Sequence, residues 1–319
     1  MDKRKMLLKL MTQWLVVAAV LSSGCSKVGD TEEPQPVPGA DRSIRLSAGL
    51  QAVTKAAVGG DASFTASVGG WESASAADYA GAPSWLSTAS VTASERASEI
   101  VLSPKRYYSQ NGAEKTYMKA WYPQGTFSGG VVSFAGAAEY KGDGTDDILL
   151  SDEVSGSALD ATTRTLAFGH LTTQLRFTVQ GDALFGRTTS VKSITVKGTG
   201  VPTGLDLSTD ALVYDASAGV VVPGIDGTQA ITEQVAQAGE SVMVPPFGVK
   251  TFKIDVETAD SEGKAIAYRD VTVTVSDDNT LPGKAYTVAL TFAGYEVTAQ
   301  ASVAEWDYTG TGFGDVTTD

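Results

Sequence analysis

The stretch Leu281–Trp306 reads LPGKAYTVALTFAGYEVTAQASVAEW and holds two alternating segments back to back. In the first, Tyr286, Val288, Leu290 and Phe292 share one face, with Thr287, Ala289 and Thr291 on the other. In the second, Val297, Ala299, Ala301 and Val303 alternate with Glu296, Thr298, Gln300 and Ser302. Period two is the signature of a strand with one buried face. A two-residue Ala293-Gly294 connection would pair Phe292 with Tyr295, Leu290 with Val297, Val288 with Ala299 and Tyr286 with Ala301. All the apolar side chains then share a face, and a slip of one residue would turn one set outward. Ala is a poor residue for positive φ, which leaves the turn type open. About eight such side chains contribute roughly 10–20 kcal/mol of gross burial at about 1.5–3 kcal/mol each. Chain entropy offsets most of it. A face of this kind must be covered, so the stretch commits the chain to packed sheets.

The same period recurs along the chain. Ser43–Leu50 places Ile44, Leu46, Ala48 and Leu50 on one face. After a Gly59-Gly60 break, Phe64, Ala66 and Val68 resume alternation before Gly69-Gly70, and Trp71–Ser98 is rich in Ala and Ser without a firm period, open to a short helix and loops. Ile100–Leu102, Thr116–Tyr122 and Val131–Phe134 are further strand candidates, with Pro123-Gln124-Gly125 ending the second. In Leu166–Val179 the phase slips at Gly169-His170, which predicts a bulge or a break between two strands. Later candidates are Val191–Lys197, Val242–Phe247, Phe252–Val256 and Val271–Val275, so the carboxyl-terminal half carries about six strands. Short strands at regular spacing predict an all-β chain of two tandem sandwiches. We expect a signal segment at 1–24, a tether at 25–42, and sandwiches at 43–163 and 164–319. The tail past Trp306 is weakly patterned.

Charge and cysteine count narrow the function. Net charge is −13. The leader carries three net positive charges (Lys3, Arg4, Lys5 and Lys9 against Asp2), so the remainder is near −16. That balance argues against nucleic acid as a partner and suits an exported surface protein. One Cys and one His exclude an intrachain disulfide and a Cys/His metal site. No cofactor is expected.

Met1–Gly24 has a basic start, an apolar core over Trp14–Leu21, and small residues Ser22-Ser23-Gly24 before Cys25, the pattern of a signal peptide too short to span a membrane. The lone Cys after small residues resembles a bacterial lipobox, with Leu21 one place early. It implies lipid attachment at Cys25, palmitate included, and anchorage in the outer membrane; each buried CH₂ contributes about 0.8 kcal/mol. Ser26–Asp41, with Pro34, Pro36 and Pro38, reads as an extended tether.

Few side chains suggest chemistry. Lys141–Asp147, KGDGTDD, offers carboxylates and glycines either to a cation or to an ordinary acidic turn, and departs from the calcium-loop spacing. His170 reads as a structural hydrogen-bonding residue; as a base it lacks a motif that supplies a nucleophile and an orienting acid. With no Gly-x-Ser-x-Gly and no carboxylate pair set apart by its spacing, an enzyme is not expected.

In their order and spacing, several features resemble the fimbrillin-like (Mfa-like) lipoproteins of Bacteroidales. They are the lipobox at Cys25, the early strand IRLSAGL, Tyr117–Gly125 (YMKAWYPQG), Asp147-Ile148-Leu149-Leu150, Phe168-Gly169-His170-Leu171 with Gln174-Leu175, and Leu281–Tyr286 with the hairpin and Trp306. The resemblance implies transthyretin-like, Ig-like sandwiches and a pilus subunit or pilus-associated adhesin at the surface of the outer membrane or in a fimbria. It further implies that a trypsin-like protease removes the segment through a basic residue after the first strand, and that a strand of another pilin subunit fills the groove. Thr54-Lys55-Ala56 occupies that place, with Lys where Arg is usual; Arg45, inside the strand, is the second candidate. The tail beyond Trp306 has few large apolar residues, chiefly Phe313 and Val316, which admits a tip or anchor role beside a stalk role. The adhesion ligand is not legible. The competing reading is a monomeric glycan-binding surface lipoprotein, whose stacking platform would come from Trp71, Trp85, Tyr107, Tyr108, Trp121 and Tyr122.

Overall fold

The computed structural model describes residues 41–51, 62–182, 189–276 and 279–307, with the backbone of 314–315. Among them there are strands, turns and coil and no helix. The amino-terminal strands are β1 (Leu46–Leu50), β2 (Ala62–Ser73), β3 (Trp85–Thr92), β4 (Ser98–Ile100), β5 (Lys115–Tyr122), β6 (Thr126–Ser128), β7 (Val131–Ser133), β8 (Leu149–Ser151), β9 (Val154–Gly156) and β10 (Arg164–His170). Those that follow are β11 (Thr173–Gly181), β12 (Thr189–Val196), β13 (Gly204–Asp206), β14 (Ala211–Val213), β15 (Val220–Val221), β16 (Ala236–Gln237), β17 (Val242–Val244), β18 (Thr251–Asp260), β19 (Ala265–Val275), β20 (Ala285–Ala293), β21 (Glu296–Ala304) and β22 (Gly314–Asp315).

They form two nine-stranded sheets, each curled into a nearly closed barrel-like sandwich. The first runs β22-β2-β5-β8-β10-β1-β4, with β3 also on β2 and β9 on β5. It closes where Thr88 of β3 and Ser103, just past β4, exchange backbone hydrogen bonds of 2.9 and 2.8 Å. Inside lie Leu46, Phe64, Val91, Met118, Tyr122 and Phe168. The second runs β15-β12-β18-β19-β21-β20-β11-β16, with β17 on β11. Coil residues close it: Val191 N and Ile231 N bond Gln229 O and Thr189 O, while Gly181 N bonds Thr232 O. Its core includes Leu175, Phe177, Ile254, Tyr286, Leu290 and Phe292.

Gly169-His170 is a break between strands, not a bulge: β10 stays in the first sheet and the chain passes to the second between His170 and Thr173. The strand candidates of the carboxyl-terminal half all appear, joined by three-residue and shorter pieces (β13 to β16) that are too brief to show a period. Two of those pieces belong to a third sheet, β14-β13-β7-β6, which covers the outer face of the first. Leu205 and Leu207 pack there with Trp71, Trp121, Val132 and Leu150, so β5 is buried on both faces.

The hairpin keeps its faces but not its expected register. Phe292 pairs with Val297, Leu290 with Ala299, Val288 with Ala301 and Tyr286 with Val303. The turn is Gly294-Tyr295, one residue later than Ala293-Gly294. Gly294 has φ 58°, whereas Tyr295 is not in the left-handed region. A primed turn with glycine first fits that geometry, and the earlier placement would have forced Ala293 to positive φ. The pairing moves by two, so parity survives: Leu290 is 1 % exposed and Val297 packs against the core.

Gly69-Gly70 does not break its strand either. β2 runs through both, because neighbouring indoles need the space. A Cβ on Gly69 would come within 2.7 Å of the Trp71 ring, and one on Gly70 within 2.1 Å of the Trp85 ring. Glycine inside a strand marks such close approach. Trp85–Thr92, in the stretch without a firm period, is a full strand; of its inward positions Trp85, Ser87, Ala89 and Val91, the middle two are too small or polar to register as an apolar face. Gly70→Val should therefore lower stability by about 1–3 kcal/mol through overpacking. Urea denaturation checks this, and an unchanged midpoint would refute the steric role.

Candidate functional site

Strand β1 lies between β10, which it pairs in parallel over five residues (Leu46 with Arg164 to Leu50 with Phe168), and β4, which it meets antiparallel (Leu46 with Ile100 to Ala48 with Ser98). The alternation of IRLSAGL turns Ile44, Leu46, Ala48 and Leu50 inward, each no more than 6 % exposed. Arg45 points outward and is exposed; its pairing with Asp41 at 3.3 Å is a surface contact. Hydrogen bonds from Ser43 hold the Asp41 carboxyl below the usual carboxylate range.

Backbone contacts continue beyond β1 at both ends. Ile44 N donates to Arg106 O at 2.9 Å, Tyr108 N to Arg42 O at 2.9 Å, Leu50 N to Ser94 O at 2.8 Å and Gln51 N to Phe168 O at 2.7 Å. Among the described residues β4 pairs within the sheet only with β1. Residues 94–108 are thus a strap held along β1, with the Thr88–Ser103 bridge tying it to β3. On the outward side Gly49 lies under this strap: a Cβ there would sit 3.0 Å from Ala97 Cα, Ala97 N and Ser94 O. The site is a slot with one strand in it, walled by β10 and the strap and floored by the first core.

The candidate processing residues fall differently around the slot. Arg45 is inside it: Arg45 O accepts from Arg164 N at 3.1 Å, and the next residue begins the ladder. A protease needs the scissile peptide unpaired, so cutting there requires the strand to come out first. Lys55 and Cys25 lie outside the described residues.

Gln51, which follows β1, lines an open cleft of 590 Å³ with Lys119, Asp152, Glu153 and Asp210. Gln51 Nε2 donates to Asp152 Oδ2 at 3.1 Å, and Lys119 Nζ lies 2.6 Å from Asp210 Oδ1. Burial and the Glu153 contact push the nearby Tyr79 phenol up. At the base of the cleft His170 Nδ1 stands 2.5 Å from Asp147 Oδ2, with both side chains fully buried, and Thr172 Oγ1 donates to Asp147 Oδ1 at 2.9 Å. The His170 ring packs on Trp306 at 4.3 Å. This cluster ties the end of the first sheet to the residues after β21, the structural role expected for His170.

The other sequence candidates disperse. In KGDGTDD, Asp146 accepts from Lys141 N and Gly142 N, Asp143 from Thr145, and Asp147 from Thr172. The carboxylates serve separate partners, and burial pushes Asp146 up. Of the aromatic platform, Trp71, Trp85, Tyr108, Trp121 and Tyr122 are buried in the cores; only Tyr107 is exposed, at 53 %. They occupy inward or sheet-covered positions, so the six do not form a stacking face. Of the strap, sequence reasoning found only the Ile100–Leu102 strand; the rest left one signal, a glycine at Gly49 in the outward row with Arg45 and Ser47.

The family described as fimbrillin-like matches residues 54–306, a span that begins just after β1. No curated protein matches the sequence. Among solved structures, a candidate cell adhesion protein from Bacteroides uniformis is 18 % identical, covering 86 % of this chain and all of its own, with TM-score 0.50. One from Parabacteroides distasonis is 11 % identical over 88 % of this chain and 99 % of its own, TM-score 0.48. A fimbrial protein from Bacteroides vulgatus is 13 % identical over 84 % of this chain and all of its own, TM-score 0.43. The likeness to the Bacteroides uniformis protein is one of fold.

Leu46→Ala should cost about 2–5 kcal/mol, since it opens a cavity in the first core. Arg45→Ala, which loses only an exposed pair, should change stability by less than about 1 kcal/mol. Denaturant unfolding of both variants measures the contrast; equal effects would mean that β1 is not seated by its inward face.

Proposed function

The chain belongs to the fimbrillin-like family, and we propose that it is a pilus subunit or pilus-associated adhesin, exported as an outer-membrane lipoprotein, that assembles by replacement of β1. The family is structural and adhesive, not enzymatic. Cys25 carries the lipid, and Lys55 is the processing residue ahead of Arg45. The two sandwiches act as tandem modules, a reading supported by their separate cores and by the change of sheet between His170 and Thr173.

The observation that carries this reading is the position of β1. It is a short strand between two neighbours, and it lies wholly upstream of Lys55. Cutting after Lys55 would leave β2 through β22 on one chain and detach β1 as the only strand lost. Its loss would expose the faces of Leu166, Phe168 and Ile100 and leave backbone groups of β10 and β4 unpaired, at a cost of several kcal/mol. A strand supplied by another pilin subunit restores both the ladder and the core, the logic of strand addition to a sheet. The glycan-binding alternative loses its support with the burial of its aromatic platform.

Sequencing the amino terminus of surface-assembled material tests the proposal. Material beginning at Ala56 is the expected result. An acylated Cys25 on every molecule would overturn β1 replacement and leave an anchored lipoprotein.

A further inference from the structure

We propose that the cleft beside the end of β1 binds an extended dication, an alkyl chain with an ammonium group at each end, and that Gln51 holds part of that place while β1 is present. The site itself needs no processing; its release when β1 is removed rests on the strand-replacement reading above.

Several parts of the chain wall the cleft. Asp152 and Glu153 come from the turn after β8, Asp210 from the turn between β13 and β14, Leu171 from the passage to the second sandwich, and Pro282 from the residues ahead of β20. Ligands are most often held in concave sites of this kind, where packed units meet. The wall is built from within: Lys119 is 6 % exposed and Leu150 7 %, although both line the opening. Lys119 Nζ donates to Leu207 O at 3.2 Å and stands 4.3 Å from the Tyr79 ring, besides its contact with Asp210. Across the cleft Glu153 accepts from the Tyr79 hydroxyl at 2.5 Å.

The lining selects the ligand. Asp152, Glu153 and Asp210 set three carboxylates against the single ammonium of Lys119, an excess of two negative charges. Ionised carboxylates only accept hydrogen bonds, so the ligand must be rich in donors. It must also be long. Among the described residues no three acidic or histidine side chains come together as a metal ion requires, so a point cation does not meet the charge. Two ammonium groups on one alkyl stem do, and the methylenes between them pack against Leu150, Leu171 and Pro282. Two nitrogen donors of the chain itself already show the pattern. At one end Lys119 brings its ammonium to Asp210 on an alkyl stem. At the other the Gln51 carboxamide donates to Asp152 Oδ2 at 3.1 Å and to Ala167 O at 3.4 Å, lying against Gly169 at 3.4 Å from where a Cβ would be. Gln51 N donates to Phe168 O at 2.7 Å, so the residue is carried by the end of the β1 ladder and leaves with it. A neutral amide holds a carboxylate less tightly than an ammonium does. Gln51 is thus a weak occupant whose departure opens the Asp152 end of the cleft.

The test titrates the uncut, isotope-labelled chain with cadaverine, n-pentylamine and acetyl-Lys-Lys amide at matched ionic strength, and follows the backbone amides of 150–153 and 169–171. Cadaverine or the dilysine peptide should move these signals, and the one that binds tells a free diamine from a polypeptide source. Pentylamine, with one charge where the cleft asks for two, should bind about ten-fold more weakly. In Gln51→Ala the affinity for the better probe should rise about three-fold, because the site is no longer partly filled. In Asp152→Asn it should fall about five-fold. Both residues are exposed, so neither variant disturbs the cores. No shift with either diammonium probe, equal binding of pentylamine, or unchanged affinity in Asp152→Asn would overturn the site. Gln51→Ala binding no tighter than wild type would overturn the part given to Gln51. None of these outcomes depends on cleavage after Lys55, so the strand-replacement reading is judged separately.

Discussion

The inward row Ile44, Leu46, Ala48 and Leu50 is the contact on which the first sandwich depends. These side chains fill one wall of its core, and their backbone joins β10 to a strap whose other hold is on β3, through the Thr88–Ser103 bonds and those of Ser87 with Pro104 and Arg106. Three large side chains and an alanine contribute roughly 5–10 kcal/mol of gross burial, comparable to the net stability of a whole domain. So much stability concentrated in the seven residues Ile44–Leu50 makes that strand a point of control. Whatever occupies the slot decides whether the sandwich is complete.

The second sandwich has no such dependence. Its parallel pairing of β11 with β20 runs over eight residues, and the β20-β21 hairpin is local in sequence. The two sandwiches meet through Asp147, His170 and Trp306, and through the small sheet whose Leu205 and Leu207 cover Trp71 and Trp121. The first of these lies close to the slot, since Gln51, directly after β1, lines the cleft that has His170 at its base.

Much of this was legible in the sequence, because period two survives errors of register. The hairpin faces were right although the turn lay one residue later, since parity depends on even shifts, whereas turn position depends on where glycine can take positive φ. Strand β3 was missed because its inner face is Ser87 and Ala89 beside one Trp, and β2 was cut short because glycine reads as a breaker until the Trp85 and Trp71 rings above it are known. The third sheet joins residues 126–133 to 204–213, a pairing that no local pattern announces. At the slot, the inward row and the Ile100–Leu102 part of the strap were plain, but the turn at Ser94–Ala97 that crowds Gly49 comes from a distant part of the chain and carries no apolar period of its own.

Hydrogen exchange on the chain cut after Lys55, compared with the same chain intact and again after the amino-terminal piece is stripped off, tests the central claim most directly, because it reports local opening residue by residue. If β1 is the removable keystone of the first sandwich, stripping it should expose the amides of residues 94–108 and 164–168 while β11, β20 and β21 keep their protection. Uniform loss across both sandwiches, or unchanged protection at 94–108 and 164–168, would contradict it.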